Sequence, residues 1–82
     1  MNRLQIEKGV NAVLCDYMGI GCSEIDEMKL LGADYGAYLM DEIEITMELE
    51  KKFSISISDE DLSAQDDWTV KEVYDLVEAS LK

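Results

Sequence analysis

The sequence contains no histidine and no proline. Without histidine there is no Cys/His zinc site and no Cys/His or Ser/His pair for nucleophilic catalysis. Without proline, and with only five glycines, nothing argues for a linker or a disordered tail. The two cysteines, Cys15 and Cys22, are too few for a disulfide framework. Cys15 falls inside a helical pattern and is expected to pack as a small hydrophobe, since no base or cation neighbours it in sequence to activate it. No apolar run approaches the roughly 18 residues of a membrane-spanning helix. The N-terminus lacks a basic region followed by an apolar one, so no signal peptide is expected and the default location is cytoplasmic.

Bases are scarce as well. Nineteen acids stand against seven bases, a formal charge of −12. That balance disfavours nucleic acid phosphates and anionic membranes as partners and favours steering toward basic proteins. Self-repulsion predicts a looser fold at low ionic strength. Against these absences, 48% of the 82 residues are apolar, enough for one small core. A single domain over 1–82 is expected, monomeric and close to the lower size limit for a chain without staples.

The most informative stretch is 38–53, YLMDEIEITMELEKKF. At about 100° per residue, Ile45, Leu49 and Phe53 share one face, an ordinary core stripe. Met40, Ile43 and Met47 fall on the far side, and Asp41, Glu44 and Glu48 fill the arc beside them. A simple surface helix has one apolar stripe. The second stripe admits two readings: a helix sandwiched between two neighbours, or an exposed apolar strip flanked by acids and offered to a basic-rimmed groove on another protein. The second is preferred.

Around it the chain reads as follows. A helix over 1–18 is capped by Asn2, with Gln5 three residues on, and ends at Gly19 as a left-handed cap. Leu4, Ile6, Val10, Val13, Leu14, Tyr17 and Met18 recur at helical spacing, and Gly9 costs some helicity. A long glycine-punctuated loop over 19–38 holds at most a single turn at 23–26, with Ile25, Met28, Leu30 and Leu31 as apolar pins. Tyr35 and Tyr38 end it, either filling gaps in the core or touching a ligand or partner. The alternating 54–58 has no strand to pair with and is expected to be extended loop with Ile55 or Ile57 buried. Ser58 caps a short helix over 59–64 whose first acids complement its dipole; a weakly held divalent cation is the less favoured reading, and no metal site is assigned. After a turn at 65–67, Thr69 caps the last helix, with Glu72 completing a capping box and Trp68 as a hydrophobic staple. Val70, Val73, Tyr74, Val77 and Leu81 form its core stripe. The sum is an all-α, small up-down helical bundle of three main helices plus one short helix, with a long first loop.

The order and spacing of three segments resemble the bacterial acyl carrier proteins. They are Val10-x-x-Val13-Leu14-x-x-x-Met18-Gly19-Ile20, the run from Met47 to Glu60, and Thr69-Val70-Lys71-Glu72-Val73-Tyr74-Asp75-Leu76-Val77. The resemblance covers nearly the whole chain, with about two extra residues near 65–68. It implies a 4′-phosphopantetheine arm on the serine of an Asp-Ser-Leu motif opening the second helix. In register those positions hold Tyr38, Leu39 and Met40, followed by a matching Asp41. Leucine has no hydroxyl for the phosphodiester, and the nearest serine or threonine residues are Ser23 and Thr46. Leu31-Gly32-Ala33-Asp34 reads like the family's stretch before the serine, but Tyr35 follows it and its use needs compensating four-residue gaps.

The family's recognition surface, acids and an apolar contact that meet basic patches on acyl-carrier-dependent enzymes, carries over better. It maps to Asp41, Glu44, Met47 and Glu50, with Ile57 in the next loop; Glu48 joins them from the helical arithmetic. Lys51 and Lys52 stand where the family often has acids. Three functions are weighed. The first is an unmodified acyl-carrier-like protein acting by protein contact as a decoy, regulator or structural subunit, with no cofactor. The second is a true carrier of fatty acid or polyketide synthesis, bearing 4′-phosphopantetheine at another residue. The third is an acidic nucleic-acid mimic. Catalysis by the chain is not expected, because its carboxylates lack a nucleophile pair or a phosphate loop to work with.

Overall fold

Among the described residues there are four α-helices: α1, Arg3–Met18; α2, Leu39–Phe53; α3, Asp59–Leu62; and α4, Val70–Ser80. A 3₁₀ turn at Cys22–Glu24 interrupts the first loop. The computed structural model describes residues 1–37, 39–63 and 65–81, without the side chains of Leu39 and Asp59. Tyr38 and Ala64, assigned above to the start of one helix and the end of another, lie outside the described residues.

Local chemistry sets the helix ends. Asn2 accepts from the Gln5 N–H while the Gln5 side-chain oxygen accepts from the Asn2 N–H, so α1 starts at Arg3, just inside the expected boundary. Gly19, at φ 70°, closes it by donating to the Cys15 carbonyl at 2.9 Å. The Thr69–Glu72 capping box opens α4 in the same way. Ser58 Oγ accepts from the Asp61 N–H at 3.1 Å at the start of α3.

α1 packs against both α2 and α4. The core joins Ile6, Val10 and Leu14 of α1, Ile45, Leu49 and Phe53 of α2, and Val70, Val73, Tyr74 and Val77 of α4. Gly9 has a packing reason beyond helicity: a Cβ there would stand 2.5 Å from Phe53 Cζ. The glycine therefore sets how closely α1 approaches the end of α2.

The first loop is stitched to the far end of the chain. Leu30 forms an isolated antiparallel bridge with Thr69. The Leu31 N–H donates to the Trp68 carbonyl at 2.8 Å, and the Val70 N–H to the Lys29 carbonyl at 3.1 Å. Asp67 accepts from the N–H groups of Gly32 at 2.9 Å and Ala33 at 3.0 Å. Burial pushes the Asp67 carboxyl up, but the N–H donors of Gly32, Ala33 and Trp68 outweigh it and hold it below the usual range.

Several expectations change. Leu4, Met28 and Leu81 are exposed rather than packed: Leu4 and Leu81 lie at helix ends, and Met28 lies in a turn of the first loop. Tyr35 is half-buried against the core, and its hydroxyl oxygen accepts from the Asp26 N–H at 2.9 Å. Cys15 does not pack as a hydrophobe: it is disulfide-bonded to Cys22, with Cα atoms 5.4 Å apart. The turn at Gly19 folds the chain back far enough to bring the two together. Ser54 is a turn residue at φ 54° rather than extended, residues 55–58 have no strand partner among the described residues, and Ile57 is buried.

Candidate functional site

The two stripes of α2 separate cleanly. Ile45 and Leu49 are each 2% exposed and Phe53 is 7% exposed, whereas Met40 is 69%, Ile43 50% and Met47 51% exposed. Among the described residues the outer stripe is not covered by a second helix, which removes the sandwiched-helix reading. An apolar strip of this kind beside carboxylates is the usual mark of a contact surface.

The sequence-assigned residues are not equivalent in the structure. Glu44, Met47 and Glu48 are exposed, and Glu48 Oε1 sits 3.6 Å from Lys51 Nζ. Asp41 is half-buried, and the Tyr17 hydroxyl lies 2.7 Å from its Oδ1 and 2.6 Å from Glu44 Oε2. The hydrogen bonds to Glu44 and then to Asp41 push the phenol pKa upward, so Tyr17 stays a neutral donor. Glu50 is half-buried and accepts from the Ile57 N–H at 2.9 Å, so it anchors the following loop. Ile57, expected at the contact surface, is only 7% exposed. Tyr17 carried no sequence signal beyond its place in the α1 stripe; only the packing of α1 on α2 brings its hydroxyl to Asp41 and Glu44.

No protein-family model matches the sequence. Curated relatives do. Acyl carrier proteins of two strains of Porphyromonas gingivalis are 33% identical over 78 residues, covering 95% of this chain and 97% of theirs. An acyl carrier protein of Chlorobium phaeobacteroides is 32% identical over 77 residues, covering 94% of this chain and 96% of its own length.

The chain belongs to the acyl carrier protein family. For this family member the hydroxyls nearest the opening of α2 are therefore of interest. Leu39 is the first residue of α2. Thr46 is buried, and its hydroxyl donates to the Glu42 carbonyl at 2.7 Å, so it offers no accessible attachment point. Ser23 is exposed but lies in the 3₁₀ turn, before the whole stitched part of the loop. Neither residue fits an attachment site at the head of α2. Among the described residues no group of His, Cys, Asp and Glu is arranged to hold a metal ion, and no helix is long and apolar enough to cross a membrane.

Proposed function

We propose that the chain is an acyl-carrier-like protein that is not modified with 4′-phosphopantetheine and acts by protein–protein contact, as a decoy, regulator or structural subunit. The observation that carries this reading is the exposed Met40–Ile43–Met47 stripe beside Asp41, Glu44 and Glu48. The partner is a protein with a basic patch, of the kind that handles acyl carrier proteins, rather than nucleic acid or membrane. The chain itself is a monomer without catalytic activity. The absence of a serine at Leu39, together with the buried, engaged hydroxyl of Thr46, supports the unmodified state.

A second reading, a working carrier with its attachment residue elsewhere, draws on the names of the relatives. Intact mass after incubation with coenzyme A and a promiscuous phosphopantetheinyl transferase separates the two. Modification of Leu39→Ser alone supports both the register and an unmodified natural protein. Modification of the wild type restores the carrier reading. If neither is modified, recognition by that machinery is lost, and a salt-sensitive bond to a nucleic-acid-binding protein becomes the next test.

A further inference from the structure

The outer stripe of α2 continues into an open groove of about 560 Å³ between α1 and α2. Its floor is apolar, made by Ala12 and Val13 of α1 and Met47 of α2. One end is anionic, with Asp16 and Glu44, and Asp41 is brought in through the Tyr17 hydroxyl. Lys51 and Lys52 close the other end. Lys51 is occupied by Glu48, whereas Lys52 has no acidic partner among the described residues.

Tyr17 organises the anionic end. A phenol carries one proton, yet its oxygen lies within 2.7 Å of two carboxylates. It can donate to one at a time, and the other is left without its proton. Arg3, the chain's one arginine, is committed to Glu7, Asp75 and Glu78 at the opposite end of α1. The groove therefore combines an end that favours a cation, an apolar floor, and an end that favours a carboxylate.

We propose that this groove seats a charge-polarised amphipathic helix of a protein partner. Its arginine or lysine enters between Asp16 and the carboxylates held by Tyr17, its apolar side chains lie on Val13 and Met47, and its carboxylate reaches Lys52. The spacing fits: Glu44 and the lysine pair are about 10–12 Å apart along α2, and residues seven apart on a partner helix share one face over about 10 Å. The proposal rests on α2 being a docking surface and deepens that reading. It extends the surface onto α1 and makes Tyr17 a positioning residue within it. A uniformly basic partner would meet repulsion at the lysine end.

The probe is a synthetic 15-residue helical peptide with one arginine, a leucine face, and a glutamate seven residues after the arginine. Two controls replace the arginine or the glutamate by glutamine. Binding to the full chain is followed by fluorescence anisotropy and methyl NMR at about 150 mM salt, where long-range attraction is damped. The expected result is shifts at the Val13 and Met47 methyls, with about tenfold weaker binding of the arginine-free control. Tyr17→Phe should weaken the arginine peptide about fivefold and leave the arginine-free control unchanged, a split that a merely structural role would not produce. Lys52→Glu should weaken the glutamate-bearing peptide but not its glutamine control. General attraction to an acidic chain would instead strengthen both, and that result overturns the polarity. Shifts confined to Met40 and Ile43 with Val13 unmoved would overturn the groove while leaving α2 a docking surface. No shift at any of these positions would overturn the groove and remove support from the docking reading as well.

Discussion

The inner and outer faces of α2 are built from similar residue types and end in opposite environments. Ile45, Leu49 and Phe53 are closed over by α1 and α4, while Met40, Ile43 and Met47 stay exposed on the same two-sided helix. Hydrophobicity alone does not separate them. What does is the company each keeps: the outer stripe is bordered by Asp41, Glu44 and Glu48, whose charges cannot enter a core without a large desolvation cost. The lesson is that a second apolar stripe is kept out of the interior by the acids next to it.

That contrast is easiest to break from the inside. Phe53→Ala should cost about 3–5 kcal/mol, enough to unfold so small a domain, as read by urea denaturation. A stable Phe53→Ala variant would mean that the inner face is not the core. Gly9→Ala attacks the same contact from α1. The added methyl overlaps the Phe53 ring, and a loss of about 1–3 kcal/mol is expected despite alanine's better helix propensity.

Acid should sharpen the comparison. Burial, and then the neighbouring Asp67 charge, push the half-buried Glu42 carboxyl of α2 upward, so its protonation favours the folded state as pH falls. Asp67 runs the other way, held down by its backbone N–H donors, and so does Glu72, held down first by the Thr69 N–H and then by Gln65. Their stabilising contributions are present above the unfolded carboxylate values near about 4 and are lost as pH falls through the lower folded ones. Thermal melts should therefore hold or rise from neutral pH to about 5 and fall below about 4. Asp67→Asn should flatten the acid limb.

Smaller effects mark the end and the outside of α2. Ser54 sits at φ 54°, a conformation that favours glycine, so Ser54→Gly should gain about 0.5–1 kcal/mol. Met47→Asp should stay within about 0.5 kcal/mol of wild type while abolishing partner binding. A large loss of stability would place the outer stripe inside the fold.

Much of this architecture was legible because it is local. The pairs Asn2 with Gln5 and Thr69 with Glu72 announce their helices within four residues, and their caps form as read. The 3.6-residue period separates the two faces of α2 without knowledge of the neighbours. Periodicity says nothing about where neighbours stop, so it puts Leu4 and Leu81 on core stripes that do not bury them, and Met28, read as a pin of the first loop, is exposed as well. Nor does it foresee meetings between elements. The Cys15–Cys22 bond depends on the direction of the chain after Gly19, and the Tyr17 bridge to Asp41 and Glu44 depends on the packing of two helices. Ile57 is read from the sequence both as interior and as contact; the Glu50 carboxylate accepts from its N–H, and its side chain is buried.

The stitching of the first loop to the head of α4 has a consequence for the order of assembly. Gly32 and Asp67 are 35 residues apart, and the bonds that tie the loop's second half to the rest of the fold reach the segment around Trp68, while its own turns close locally. Those bonds form only when a long stretch of chain closes on itself, a step whose entropic cost must be met before its rewards arrive. Local signals can start the two long helices and the turns at 30–37 early, but the first loop is not fastened to the rest of the fold until the head of α4 arrives. A nascent chain would hold this loop in place only once the segment around Trp68 has emerged.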